Sequence, residues 1–369
     1  MKELYHICQW NADKRKSWSG TYYSIYKELG KLYDIKDISI ETPFLSKVKR
    51  MLLRKYGIGK YEFSFTDIKK LSKKLTNGGV YDNKCAFQYA ETPVVDGIHN
   101  YIYQDMCADF ILNVILEKPE FSAHYIYSHV DRKKLKKRCE DQKVFYDKCA
   151  GIFTMGRWLS DYLTDKLGVD ASKVHCVGAG VDIDTSMINP HNRENRRILF
   201  VGRNFEAKGG KIVVEAFEKL KKLIPNAELF IVGPEKNPLD NSIDGVFYKG
   251  VLSGQELLEC YNICDIFCMP SYVDAYGKVF TEAICCGLPC IARNVLSMPE
   301  IIRNGENGYC IDSDDTDNLA DVMYKLLIDN DMHKNVEDKR EYYCDYYSWS
   351  AVAKRISAVI DKDAYMNGV

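Results

Sequence analysis

Residues 265–289, DIFCMPSYVDAYGKVFTEAICCGLP, constrain this chain more than any other stretch. Residues 265–269 form a short apolar run ending at Pro270, the pattern of a strand buried in a parallel sheet. Ser271, Asp274 and Gly277 follow, and VFTEAICCG has helical content and stops at Gly287, ahead of Pro289. The local order is therefore strand, tight loop, helix start. Backbone N–H groups from Tyr276 to Val279 would leave that helix start with the positive end of its dipole, which suits phosphate or a sugar hydroxyl. Asp274 precedes the turn and Glu282 lies inside the helix, so two carboxylates and a row of amides converge on one small volume. The competing reading has Asp274 capping the helix and Glu282 on solvated surface.

PSYVDAYGKVFTEAICCGLPCIA also resembles the signature of family 4 retaining glycosyltransferases of the GT-B fold: a Glu, seven residues, then a second Glu. ILFVGRNFEAKGGKIVVEAF (198–217), ELFIVGPE (228–235) and PEIIRNGENGYCID (299–312) continue the likeness in family order. One departure is that Asp274 stands where the family has Glu. The resemblance implies an α/β chain of two Rossmann-like doubly wound domains facing a cleft.

At 369 residues the chain is long for a single core, which independently argues for two domains. No apolar run approaches the roughly 20 residues of a membrane span. The opening MKELYHICQWNADKRK lacks the apolar core of a signal peptide, so a cytoplasmic location is expected. Fourteen cysteines are scattered without a CxxC pair, and Cys260, Cys264 and Cys268 have no His at ligand spacing. They read as reduced, mostly buried thiols, with no metal implied.

A net charge of -1 hides an asymmetry. Residues 1–180 carry 30 Lys+Arg against 22 Asp+Glu, and the remainder 21 against 30. A basic first half favours a phosphate-bearing acceptor or an anionic membrane surface. Nucleic acid is set aside, because neither basic cluster lies in a nucleic-acid-binding motif.

Residues 3–9 read as a first strand, followed by a polar loop and the amphipathic run YYSIYKELGKLY, the opening unit of a doubly wound domain. The loop SWSGT resembles the family's Gly loop, which faces the donor diphosphate and points to Gly20; an ordinary turn reads equally well. Residues 33–40 alternate into a second strand. KVKRMLLRKY (47–56) would, as a helix, set a basic face beside an apolar one, as in a membrane-surface element or a solvated helix on its own domain. RKKLKKR (132–138) is a second basic cluster. Residues 85–89 and 92–98 look like further strands. The second puts His99 at a strand's C-terminal end, where open α/β sheets hold their chemistry. A lone His is more often structural; the resemblance implies a His or polar residue at this exit, close to the transferred sugar.

Asp182-Ile183-Asp184 is formally a D-x-D, the metal–nucleotide motif of the other large glycosyltransferase fold. It coincides with the family's Gly-Val-Asp at the interdomain connection and reads as linker. Beyond it, Arg203 and Lys208 follow the strand 198–202. Two cations at a strand exit can neutralise a diphosphate, Arg as a fork and Lys as a point charge. Gly233 and Val251 end the next two strands, where the resemblance places the nucleotide base. The Tyr-rich tail resembles a closing helix that crosses back onto the first domain. The expected domains are 1–182 (acceptor), 183–345 (nucleotide sugar) and the crossing helix 346–369.

The expectation is a hexosyltransferase-type enzyme that moves a sugar from a UDP- or GDP-linked donor to a glycan or lipid-linked acceptor, as in polysaccharide biosynthesis. It would retain anomeric configuration, use no metal or other cofactor, and sit in the cytoplasm or peripherally on the inner face of the membrane. The resemblance assigns Arg203 and Lys208 to the diphosphate, and Tyr276, Gly277, Lys278 and Val279 to phosphate and sugar. It assigns Glu282 to the ribose, Asp274 to the sugar hydroxyls and His99 to the sugar's other face. The alternatives are a catalytically silent GT-B subunit that supports a partner enzyme, and a sugar-nucleotide epimerase, which would make free nucleotide without an acceptor.

Overall fold

The computed structural model describes residues 2–8, 10–39, 84–89, 94–124, 131–189 and 195–366. The chain forms two compact units, one of Met1–Ala123, Tyr127–Gly180 and Trp349–Val369, the other of His124–Ile126 and Val181–Ser348.

Each unit is built on a six-stranded sheet in which every pairing is parallel. The first contains β1 (Glu3–Cys8), β2 (Asp34–Ser39), β3 (Lys84–Tyr89), β4 (His99–Gln104), β5 (Gly151–Thr154) and β6 (Val174–Cys176), in the order β2-β1-β3-β4-β5-β6. The second contains β7 (Arg197–Val201), β8 (Glu228–Val232), β9 (Val246–Gly250), β10 (Ile266–Met269), β11 (Cys290–Arg293) and β12 (Gly308–Ile311), in the order β12-β11-β10-β7-β8-β9. Central strands such as ILFV and IFCM are apolar at every position because both faces of a parallel sheet are covered. Phe200 and Phe267 are fully buried, and truncating either ring to Ala would cost about 3–5 kcal/mol.

The helices that bear on the site and its packing are α1 (Thr21–Leu29), α2 (Arg132–Lys148), α3 (Gly210–Leu220), α4 (Gly254–Ile263), α5 (Lys278–Cys285), α6 (Thr316–Ile328) and α7 (Trp349–Met366). In α3, Ile212, Val213, Ala216, Phe217 and Leu220 recur at helical spacing and are buried. Ser253 and Glu256 form a reciprocal capping box that starts α4. Helix α7 belongs to the first unit. Arg355 Nε donates to Val177 O at 2.7 Å, and a Cβ on Gly180 would fall 2.4 Å from the Trp349 ring.

RKKLKKR forms the first turns of α2, where Asp131 caps the amides of Lys133 and Lys134 and all but Leu135 and Arg138 of the cluster are exposed. The basic stretch 47–56 lies outside the described residues. No described helix is long and apolar enough to cross a membrane. The fourteen cysteines are free thiols, most of them buried.

One strand departs from expectation. Residues 94–98 form a turn, with Gly97 at φ +82, and the strand is His99–Gln104. His99 therefore opens β4, pairing with Cys85 near the start of β3, and sits at the amino edge of the sheet. The physical reason lies in Asn100. Its side chain accepts from Gln88 Nε2 (2.9 Å) and Val95 N (2.8 Å) and donates to the carbonyls of Val95 and Ile98. That latch holds 95–98 as a turn, while Val95 packs on Tyr5, Ile7 and Ala86. A strand carrying buried, hydrogen-bonded Asn100 and Gln104 has no apolar run to announce it.

Candidate active site

The second sheet has a topological switch point. From β7 the chain builds outward through β8 and β9, then returns to lay β10 on the other side of β7. In open parallel sheets the crevice outside the carboxyl ends at such a reversal is the ligand site. The loops leaving β7 and β10 are therefore neighbours. Tyr272 N donates to Ala207 O at 3.1 Å. Gly209, at φ +76, comes so close to this second loop that a Cβ there would lie 2.5 Å from Pro270 O.

This packing brings Lys208 to Asp274, whose Oδ2 accepts from Nζ at 2.5 Å. Arg203, in the same loop as Lys208, is exposed. Gly233, at φ +114, backs this loop; a Cβ on it would strike the backbone of Gly202 and Arg203 at 2.7–3.0 Å. Its amide donates to Gly250 O at 2.7 Å, and Val251 stands exposed at the end of β9. Arg203, Lys208, Gly233 and Asp274 thus converge at one edge of one sheet.

Helix α5 begins beside them. Gly277 caps it in the left-handed region, φ +73, and the amides of Lys278 and Val279 fall in its first turn, where helical N–H groups lack intrahelical acceptors. Ser297 Oγ donates to Ala275 O at 2.7 Å and steadies the approach, while Tyr276 is buried. Asp274 does not cap α5; its partner is Lys208.

Glu282 is buried rather than solvated. Tyr261 Oη on α4 donates to Glu282 Oε2 at 3.2 Å. Burial pushes the carboxyl up to about 7; nearby Lys278 opposes the shift, and Asp182 adds to it. Lys278 is itself paired with Asp182. Asp184, the other acid of the D-x-D, caps the turn Thr185–Met187 through Ser186 N. The two aspartates thus have separate partners.

In the first unit Gly20, at φ +89, starts α1, and Trp18 and Ser19 before it also hold left-handed φ values of 45° and 53°. Gly20 takes that conformation freely, but Trp18 and Ser19 store strain in it, a feature that concentrates at functional loops. The polar residue at the exit of β4 is Asp105, partly exposed at the sheet's carboxyl edge. Sequence reasoning missed it by placing the strand several residues early; the turn-forming Asp96-Gly97 pair followed by alternating Tyr101 and Tyr103 was the available signal.

Residues 183–363 match the family model described as glycosyl transferases group 1. The chain is 31% identical over 155 residues to N-acetyl-alpha-D-glucosaminyl L-malate synthase of Bacillus anthracis, covering 40% of each protein. It is 24% identical over 228 residues to phosphatidyl-myo-inositol mannosyltransferase of Mycolicibacterium smegmatis, covering 59% of this chain and 58% of that one. The chain thus spans about half the length of these curated relatives. Sucrose-phosphate synthase from Thermosynechococcus elongatus matches as a structure with a TM-score of 0.68 at 14% identity, over 98% of this chain and 99% of that one. That likeness is one of fold, the GT-B architecture of two Rossmann-like units.

Proposed function

We propose that the chain is a glycosyltransferase of the hexosyltransferase type. It would carry a sugar from a nucleoside diphosphate sugar, UDP- or GDP-linked, to a hydroxyl of a glycan or lipid-linked acceptor. The observation that carries the proposal is the convergence at the switch point of Arg203, Lys208, Asp274 and the amide-bearing start of α5, with buried Glu282 one turn in. The group 1 match over this same unit supports it.

The chemical difficulty is departure of a diphosphate from an anomeric carbon that becomes oxocarbenium-like. In this reading Arg203 and Lys208 neutralise the developing charge, and the Lys278 and Val279 amides donate to phosphate and sugar. No divalent ion at the diphosphate is then required. On donor binding Lys208 exchanges Asp274 for phosphate, which frees the Asp274 carboxylate to accept from sugar hydroxyls. Glu282 accepts from the ribose hydroxyls, and the base lies by Gly233 and Val251. Retention of anomeric configuration is part of the proposal and comes from the family resemblance.

The first unit, with the basic half of the chain, takes the acceptor. Its polar residue for the acceptor is Asp105 in place of His99, which the strand start at residue 99 removes from the carboxyl edge. Relatives named for L-malate and phosphatidyl-myo-inositol support a hydroxyl acceptor that bears anionic groups, presented in solution or at a membrane.

The test is thermal shift and turnover against UDP- and GDP-sugars, with and without added Mg²⁺ or Mn²⁺. Stabilisation by one nucleotide, with sugar release that needs no added ion, is expected. Binding without release in the presence of lipid and glycan acceptors would instead identify a silent subunit. Absence of binding to every nucleotide would overturn the proposal.

A further inference from the structure

Three metal-ligating side chains converge in the first unit that the donor chemistry does not use. His6 and Cys8 are alternate residues of β1 and project to the same face of the sheet. Asp37 stands beside His6 in the β1–β2 register. His6 Nδ1 lies 3.8 Å from Cys8 Sγ and 3.6 Å from Asp37 Oδ1, and the three donor atoms are all within 4.8 Å of one another. Zinc binds N and O at roughly 2.0–2.2 Å and S at about 2.3 Å in a tetrahedron, so adjacent ligand atoms stand roughly 3.3–3.7 Å apart. The two separations from His6 Nδ1 are already near that spacing, and the third, between Cys8 and Asp37, is at most 4.8 Å.

We propose that His6 Nδ1, Cys8 Sγ and Asp37 Oδ1 form a binding site for a thiophilic divalent cation of the zinc type, with the fourth position left for water. The surrounding contacts are those a metal site uses to orient its ligands. Tyr89 Oη bonds His6 Nε2 at 2.6 Å, which leaves Nδ1 as the ligating nitrogen. Trp10 Nε1 donates to both Asp37 oxygens, at 2.9 and 3.1 Å. Lys14 Nζ donates to Oδ2 at 2.6 Å, so the metal would take the Oδ1 side and share that oxygen with the Trp10 donor.

His6 and Cys8 are buried, and the Asp37 side chain is 20% exposed. Binding would transfer the Cys8 thiol proton to solvent and leave a thiolate on the ion. The ion would pin the exits of β1 and β2 together at the root of the loop that carries Trp18, Ser19 and Gly20. None of this depends on the proposed transferase reading.

The full chain, stripped with a chelator and desalted under nitrogen, is titrated with Zn²⁺ by calorimetry and with Co²⁺ by absorbance. One equivalent of each, a thiolate-to-cobalt charge-transfer band and a higher Tm with Zn²⁺ are expected. Cys8→Ser should abolish the band and weaken Zn²⁺ binding at least tenfold. No saturable Zn²⁺ binding, or a band that persists in Cys8→Ser and so belongs to another of the fourteen cysteines, overturns the proposal. If Cys8→Ser fails to fold by circular dichroism, Tyr89→Phe decides. Loss of that outer hydrogen bond should weaken Zn²⁺ about 10–100-fold, and unchanged affinity rejects the site.

Discussion

Lys208 Nζ and Asp274 Oδ2 stand 2.5 Å apart, and through them the loop after β7 is tied to the loop after β10. Their side chains are 25% and 20% exposed, so the pair itself contributes on the order of 1 kcal/mol or less. Lys208→Ala should therefore leave Tm within a few degrees while lowering kcat by roughly 10²–10³-fold, the scale of losing one charge-stabilising group. Steady-state kinetics beside a melting curve separates the two effects. A Tm loss with little change in kcat would assign Lys208 to the scaffold.

Glu282 supplies a pH dependence with a definite sign. Its folded pKa, about 7, exceeds the ordinary 4.5. Stability from the buried neutral carboxyl is thus fully present below about pH 4.5 and is lost as pH rises to about 7. The span amounts to roughly 3 kcal/mol. Glu282→Gln should flatten that part of the profile in urea melts run from pH 5 to 8. In the same range nucleotide affinity of the unmodified protein should rise with pH, because the carboxylate is the form that accepts from ribose. A variant that keeps both pH dependences would show that another group titrates.

Gly233 cannot carry a side chain. Its φ of +114 and the 2.7 Å approach to the carbonyl carbon of Gly202 mean that Gly233→Ala must move backbone. A loss of about 2–3 kcal/mol is expected. Because the displaced segment leads into Arg203, nucleotide binding should weaken as well. Chemical denaturation and a nucleotide titration check both.

The exit of β4 distinguishes two residues by kinetics. Asp105→Asn should lower transfer at least tenfold, whereas His99→Ala, at the other edge of the sheet, should leave it near the unmodified rate. The opposite ranking would restore His99 and reject Asp105.

The basic stretch 47–56 makes its own prediction from sequence. Co-sedimentation with vesicles should rise with anionic lipid and fall with salt. Neutralising Lys49, Arg50, Arg54 and Lys55 together should abolish it. Unchanged binding would remove the membrane role from this stretch.

Much of the second unit was legible because its signals are local. An apolar run ending in Pro270, a left-handed Gly277 and the helix that follows are each decided within a few residues, and the structure keeps all three. Arg203, Lys208, Gly233 and Asp274 were likewise readable as loop residues after strands. What they touch was not. The sequence leaves Asp274 a choice between capping α5 and another partner, and Lys208, 66 residues earlier, takes it.

The misplaced strand shows the same limit from the other side. The Val94-Val95 pair reads as extended backbone by composition, yet the Asn100 side chain bonds the Val95 amide and carbonyl and the chain turns at 96–98. HNYIYQ becomes a strand because Gln88 and Tyr146, distant in sequence, satisfy its buried amides.

The sequence alone determined the α/β class, most strand and helix positions and the types of residue at the strand exits, because period, glycine conformation and proline act over a turn or less. Tertiary structure alone decided that His99 lies at the amino edge, that Glu282 is buried beside Tyr261, and that His6, Cys8 and Asp37 meet. Those outcomes depend on which strands pair and in what register, a choice made by the summed burial of a whole sheet and not by the residues on either side of each group.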